Sequence, residues 1–459
     1  MDSTLASLAA WMPRQRWYAA KGRRPHLRHV ASWEAPSTEP GVRIRTLILA
    51  DDGTLPTTTY QVPVVSRPTE TVPPRQSAHV IGHPEPGTTL IDGPHDPAYA
   101  AALLHLVTDG GTVRGRGTVA IGHPAASSRH AGATPAPHRT RVLTGEQSNS
   151  SISFTFDDGT TPVICKIYRQ LHPGTNPDIE LNNALSDAHS PHVPRAVGWV
   201  ECTWPDVSPP GRVTGSLAFA QEFFPDVEDA WRVALRSAAD GGDFRSPAFD
   251  LGAATADVHR SLAHIFPTAP VTTRDHAALR DAWQRRLSTA VAEVPALVDS
   301  RRAIAAVYDR ALDVPWPPLQ RIHGDYHLGQ VLAVPDRGWV LLDFEGEPLR
   351  AMAERVAPDL ALRDVAGMLR SFEYVAGSVR IDHPDHTAAL REWADGAREG
   401  FLQGYTDRAH LRTPVTGPLL DALELDKAVY EAVYEARSRP TWLTIPLRAV
   451  ERLIAAPRK

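Results

Sequence analysis

The sequence is short of cysteine, of basic excess and of long apolar runs, and each shortage removes a class of protein. Two cysteines, Cys165 and Cys202, in 459 residues are too few for a disulfide framework or a cysteine zinc site, which points to a reducing, cytoplasmic setting. Lysine and arginine total 48 against 53 acidic residues, a formal charge of -5. The positive field that a nucleic-acid or anionic-membrane binder needs is therefore missing. No stretch reaches the roughly 20 apolar residues of a membrane span. The opening MDSTLASLAAWMPRQRWYAAKGRR carries charge where a signal peptide keeps its apolar core, so neither export nor membrane insertion is expected.

What remains is a long chain, 42% hydrophobic, with material for two to four compact units at about 100–200 residues each. After a short helical pattern at Leu5–Trp11, the stretch GVRIRTLILADDGTLPTTTYQVPVV alternates apolar and polar residues about an Asp-Asp-Gly turn, which is hairpin chemistry. PAYAAALLHLV has helical spacing, and Gly110, Gly111 and a Pro-, Ser- and His-rich stretch to about Arg139 read as a linker or surface excursion. A second hairpin is expected around Asp157–Gly159, ending in Lys166. From about Trp231 the chain turns Ala-, Leu- and Arg-rich with helical spacing, broken once by RIHGDYHLGQVLAVPDRGWVLLDFEGEP, which reads as loop, strand, turn, strand. Strands first and helices after favour an α+β protein over an alternating βαβ one.

The chemistry concentrates in His323-Gly324-Asp325-Tyr326-His327-Leu328-Gly329-Gln330, followed after an apolar strand by Asp343-Phe344-Glu345. An Asp in a turn, an amide five residues on and a second Asp beyond the strand fit phosphoryl transfer. One carboxylate orients the attacking hydroxyl and accepts its proton, while an amide oxygen and a carboxylate hold magnesium on nucleotide phosphates. Asp325 is then the base, and Gln330 and Asp343 are the metal ligands. Lys166, at the end of Val163-Ile164-Cys165, takes the position of a nucleotide-phosphate lysine, with Glu180 as its helix partner and Asp178 competing for the role. Thr144–Ser151, including Ser148 and Asn149, offers backbone N–H groups to phosphate oxygens without being a Walker A loop. Glu222 and Phe223, at a strand exit, offer backbone hydrogen bonds to an adenine or form a plain connector.

These residues sit in a longer pattern. RQRWYAAKGR, GEQSNSS, NPDIELN, HGDYHLGQVL, LLDFEGEP, LRDVAGMLRSFEY and LDKAVYEAVYEARSRPTWLTIPLRAVERL resemble the actinobacterial maltokinases of the aminoglycoside-phosphotransferase group, which include glucosamine kinases of this type. The resemblance implies a bilobal, eukaryotic-protein-kinase-like α+β fold with an extra strand-rich N-terminal cap, ATP and Mg2+ as cofactors, and a small sugar as acceptor. It divides the chain into a cap at 1–90, a helix and linker at 91–139, a nucleotide lobe at 140–224 and a helical lobe at 225–459. It also assigns Asp325 as base, Gln330 and Asp343 as magnesium ligands and Lys166 as the phosphate lysine. Two departures fall near the base: HGDYH where maltokinases read HGDLH, and Pro358–Asp364 without the usual Ser-Pro turn.

The acceptor is expected on the segment Asp426–Trp442. Tyr430 and Tyr434 share a helix stripe beside Lys427, Glu431 and Glu435, and Arg437 and Trp442 follow. Aromatic rings pack on the C–H face of a pyranose and carboxylates bind its hydroxyls; the same stripe also reads as core with a solvated charged face. The expected activity is a sugar kinase leaning to glucosamine, giving glucosamine 6-phosphate. The alternatives are a maltokinase making maltose 1-phosphate and, more remotely, an aminoglycoside phosphotransferase or a pseudokinase scaffold.

Overall fold

A computed structural model of the chain describes residues 3–126, 137–143, 148–207, 210–347, 350–410 and 417–455. The chain divides into two compact units, Met1–Asp187 with Pro194–Pro225, and Ala188–Val193 with Asp226–Lys459.

The first unit holds two antiparallel sheets. Helix α1 (Ser3–Trp11) precedes β1 (Leu27–Ala35), β2 (Arg43–Asp51), β3 (Thr58–Pro68), β4 (Val80–Glu85) and β5 (Thr88–Asp92), which pair in the order β1-β2-β3-β5-β4. The β2–β3 pair is the expected hairpin, in register from Arg43↔Ser66 to Asp51↔Thr58. After α2 (Pro97–Asp109) come β6 (Gly111–Gly115), β7 (Thr118–Pro124), β8 (Arg139–Val142), β9 (Asn149–Thr155), β10 (Val163–Tyr168), β11 (Gln170–Leu171), α3 (Pro177–Asp187), β12 (Ala196–Val207) and β13 (Pro210–Glu222). The second sheet runs β6-β7-β12-β13-β10-β9-β8. Residues 111–124, expected within a linker, are thus strands. Gly110 and Gly111 adopt positive φ (76° and 113°) and turn the chain straight from α2 into β6, so the glycine pair marks a tight reversal.

The two sheets of this unit are joined by pairing and by buried charge. Strand β11 pairs with β3, and Gln61 of β3 donates through Nε2 to the carbonyls of Tyr168 and Leu217, both at 2.9 Å. Next to them Arg169, fully buried, donates through Nη2 to both oxygens of Asp92 at 2.9 Å. Its Nε reaches Ser150 Oγ at 2.9 Å, and its guanidinium lies 4.8 Å from the Trp17 ring centroid. The aromatic residues of RQRWYAAKGR therefore serve the interior: Trp17 and Tyr18 are buried with Tyr60, Val62 and Leu90.

The second unit is mostly helical: α4 (Ala230–Ala239), α5 (Arg245–Ile265), α6 (Thr273–Glu293), α7 (Arg301–Leu312), α8 (Met352–Arg355), α9 (Leu362–Asp382), α10 (Thr387–Arg408), α11 (Pro418–Ser438) and α12 (Thr444–Ala455). A small sheet, β14 (Glu228–Asp229), β15 (Val331–Val334) and β16 (Gly338–Leu341), interrupts it. This is the expected strand–turn–strand among helices, with Asp336 and Gly338 at positive φ closing the turn. Close helix approach depends on glycine: a Cβ on Gly404 of α10 would meet Phe249 O of α5 at 2.0 Å. Among the described residues no helix is long and apolar enough to cross a membrane.

The Arg169–Asp92 pair yields a stability prediction. Removing one partner of a buried ion pair strands the other charge. Asp92→Asn is expected to lower stability by about 3–5 kcal/mol, read as a large fall in Tm. Asp52→Asn, which breaks the exposed Arg28 pair at 2.9 Å, is expected to change stability by less than about 1 kcal/mol. Equal falls in the two proteins would refute the buried-pair account.

Candidate active site

The candidate catalytic segment is held by its backbone. The N–H groups of His323 and Gly324 donate to the two carboxylate oxygens of Asp364, at 2.8 and 2.9 Å. Asp364, at the start of α9, is itself 1% exposed. His259 of α5 faces the same carboxylate through Nε2 at 2.9 Å and touches the Tyr405 hydroxyl through Nδ1 at 2.9 Å. Burial opposes the charge on Asp364, but His259, His323 and the loop N–H groups win and hold its carboxyl below the usual range. The His323 ring contacts the Leu342 carbonyl through Nε2 at 2.8 Å and packs on Phe344, centroids 4.8 Å apart. Gly324 has φ 84°, and a Cβ there would meet Gly346 Cα at 3.2 Å. Glycine is therefore required where the HGD turn passes the DFEGE turn.

The metal-ligand candidates meet across the β15–β16 hairpin. The Gln330 carbonyl accepts from Leu342 N–H at 2.9 Å, and Gln330 Nε2 donates to Asp343 Oδ2 at 3.3 Å. Asp343 takes the left-handed backbone conformation, φ 65°, a region Asp tolerates better than most residues. With its N–H side turned to the carboxylate, the Gln330 amide has its oxygen for a ligand. An amide oxygen beside a carboxylate is a hard-donor set that fits a magnesium ion.

Asp325 stands at 23% side-chain exposure, and among the described residues its carboxylate accepts no hydrogen bond. It lines a small cavity with Glu347, Asp426, Lys427, Tyr430 and Arg286. Two polar groups in this cavity are unsatisfied among the described residues. Asp426 Oδ1 is buried without a hydrogen bond, although Oδ2 pairs with Arg286. Lys427 Nζ lies 3.8 Å from Asp325 Oδ1 and 3.7 Å from Glu347 Oε1, with no hydrogen bond of its own. Burial works against the ammonium, but Glu347 and Asp325 outweigh it and raise its pKa.

The predicted sugar stripe divides. Tyr430 lines the cavity, whereas Glu431 is spent on Arg370, which donates through Nε and Nη2 at 2.9 and 2.7 Å. Tyr434 is exposed beneath Arg439. Arg437, 62% exposed, pairs with Glu293, and Trp442 packs near Tyr374, centroids 6.4 Å apart. The cavity opens at the N-terminal part of this α11 face, and at about 1.5 Å rise per residue Tyr434 sits about 10 Å farther along the axis than Lys427. Tyr326, the departure beside Asp325, is buried and its hydroxyl meets Thr255 Oγ1 of α5 at 2.8 Å. Sequence reasoning gave no role of their own to Asp364, His259, Asp426 and Arg286. For Asp364 a signal existed, since it opens the quoted LRDVAGMLRSFEY block.

In the first unit Lys166 lies in the middle of the sheet, opposite Ser151 and Phe219, and its Nζ meets Asp178 Oδ2 at 3.0 Å. Asp178, the competing candidate, is thus the observed partner, and Glu180 lies two residues on in α3. Asp178 is fully buried in the first helical turn, where the helix N-terminus favours a carboxylate. Ser148 is exposed and Asn149 opens β9 opposite Tyr168; residues 144–147 of the expected phosphate loop lie outside the described residues. The N–H groups of Glu222 and Phe223 already donate to the carbonyls of Arg195 and Pro162, both at 2.8 Å. These two N–H groups are thus used within the protein.

With this geometry in place, the comparisons are specific. Residues 139–413 match the phosphotransferase enzyme family, and residues 11–96 match the maltokinase N-terminal cap domain. The chain is 30% identical to a glucosamine kinase of Mycolicibacterium smegmatis over 330 residues, covering 68% of this chain and 79% of that protein. It is 33% identical over 246 residues to a glucosamine kinase of Streptacidiphilus jiangxiensis, spanning 50% of this chain and only 56% of that relative. A crystal structure of a glucosamine kinase superposes over 98% of this chain and 99% of its own, with TM-score 0.70 at 24% identity, the same fold. The cap match, the phosphotransferase match and the relatives agree: the chain belongs to the phosphotransferase enzyme family and carries a maltokinase-type N-terminal cap domain.

Proposed function

We propose that this protein is an ATP-dependent amino-sugar kinase that phosphorylates the 6-hydroxyl of glucosamine. The observation that carries the amino-sugar reading is Asp426 Oδ1, a buried carboxylate oxygen with no donor among the described residues, on a residue that lines the cavity with Asp325. An unpaired buried carboxylate oxygen is costly, and a substrate ammonium satisfies it while bringing the opposite charge. The names of the two relatives above support the same substrate. Maltose, the second reading, rests on the maltokinase-type cap match at residues 11–96.

In this reading Asp325 accepts the proton of the sugar hydroxyl and fixes its direction, and Tyr430 offers a face to the ring. Gln330 and Asp343 hold magnesium, which when bound neutralises charge on the nucleotide phosphates. Lys166, held by Asp178, and Ser148 and Asn149 bind the phosphates. The Asp364 clamp keeps Asp325 from drifting, which matters because this chemistry is mostly positioning.

Initial rates with ATP and Mg2+ across glucosamine, N-acetylglucosamine, glucose, maltose and kanamycin test the reading. Glucosamine is expected to react fastest, N-acetylglucosamine and maltose poorly, and Asp325→Asn to lower kcat by about 10²- to 10⁴-fold. A rate confined to maltose would establish the second reading instead. Asp426→Asn keeps an acceptor for Arg286 and is expected to raise the KM for glucosamine about tenfold, with little change for glucose; equal effects on both sugars would remove Asp426 from ammonium recognition. Asp343→Ala is expected to raise the Mg2+ concentration for half-maximal rate by about tenfold or more, and an unchanged magnesium requirement would count against the ligand assignment.

A further inference from the structure

The catalytic loop His323–Gln330 contains no lysine or arginine. Of its two histidines, His323 turns Nε2 to the Leu342 carbonyl at 2.8 Å, and His327 accepts the Gly329 N–H on Nδ1 at 3.0 Å, so that nitrogen carries no proton. Yet the phosphoryl group arriving at the acceptor oxygen spreads negative charge over its equatorial oxygens, and a cation at that end of the reaction stabilises it. The fold brings one from far along the chain. Lys427 of α11 stands 3.8 Å from Asp325 Oδ1 and 3.7 Å from Glu347 Oε1. Both gaps exceed the roughly 2.7–2.9 Å of a charge-assisted hydrogen bond. The ammonium is thus held by the field of two carboxylates while its three N–H donors remain unspent among the described residues. A separation of 3.8 Å also lets one oxygen placed beside the pair lie within hydrogen-bond distance of Asp325 Oδ1 and Lys427 Nζ together.

We propose that Lys427 is a second catalytic residue, the acceptor-side cation of the transfer. The inference rests on the kinase reading given above. The sugar hydroxyl gives its proton to Asp325 and its oxygen forms the new bond to phosphorus. The bond from phosphorus to the ADP oxygen breaks with its electron pair leaving on ADP. Lys427 stays protonated throughout and donates to a phosphoryl oxygen. Glu347 balances its charge before the nucleotide arrives, and Tyr430, 5.6 Å from Nζ to the ring centroid, packs alongside it.

The test uses the full chain with glucosamine, ATP and Mg2+. Lys427→Met, of similar length without the charge, is expected to lower kcat about 100-fold or more, with both KM values within about threefold of wild type and Tm retained. Lys427→Arg is expected to recover part of the loss. In Lys427→Ala, added propylammonium is expected to raise kcat where sodium chloride at the same ionic strength does not, a response that a structural role cannot give. A Lys427→Met enzyme whose kcat stays within about threefold of wild type overturns the proposal. So does a variant whose whole effect falls on the KM for glucosamine, which would make Lys427 a binding residue. If Lys427→Met fails to fold, the Lys427→Arg kcat and the amine response of Lys427→Ala decide by the same criteria. A wild-type protein that phosphorylates no sugar would defeat the kinase reading itself, whereas an active wild type with an unimpaired Lys427→Met defeats only the role of Lys427.

Discussion

The active segment hangs on one carboxylate. Asp364 accepts the N–H groups of two successive residues, His323 and Gly324, directly before the Asp325 that faces the cavity. Hydrogen bonds from main-chain N–H to a buried carboxylate are charge-assisted and directional, so they fix the peptide planes that aim the next side chain. His259 and Tyr405 extend the network into α5 and α10. The position of the candidate base is thereby tied to three helices of the second unit, α5, α9 and α10. A catalytic turn on a free loop would sample many orientations; this one is fixed by the core that also stabilises the unit.

Charge is distributed in this unit according to whether it is paired. Behind the cavity, Arg370, Arg398 and Arg452 are matched with Glu373, Glu424 and Glu431 across α9, α10, α11 and α12. Such groups are satisfied by one another and have little left for a ligand. Around Asp325 the matching is incomplete: Lys427 makes no hydrogen bond and Asp426 Oδ1 has no donor among the described residues. That contrast separates recognition from architecture on a single helix, α11, where Glu431 is structural and Lys427, four residues earlier, faces the cavity.

In the first unit the same logic joins the strands of the first sheet to those of the second. Gln61 and Arg169 satisfy the main-chain and carboxylate groups where β3, β10 and β13 converge. Arg169 also bonds Ser150, one residue after Asn149. The tryptophan and tyrosine of the N-terminal basic segment supply apolar cover for this charge rather than contacts to a ligand.

Local chemistry was legible in the sequence. The Asp-Asp-Gly turns, the alternating runs of β2, β3, β9 and β10 and the strand pair after HGDYH follow from period-two patterning and turn residues, which act over a few positions. The candidate base and its two candidate metal ligands could be named from the sequence too, because they lie within one hairpin and its flanking turns. Choices between residues close on one helix were not. Asp178 at 3.0 Å from Lys166, and Lys427 and Tyr430 rather than Tyr434 at the cavity, depend on where the helix sits along its axis. Linear spacing leaves that open. Nor could sequence order bring Asp364 to His323 or Lys427 to Asp325, some forty and one hundred residues apart. The sequence by itself determined the reaction class and the candidate base; only the tertiary structure decided which distant charges complete the site, because long-range pairing is set by helix packing and not by neighbours in the chain.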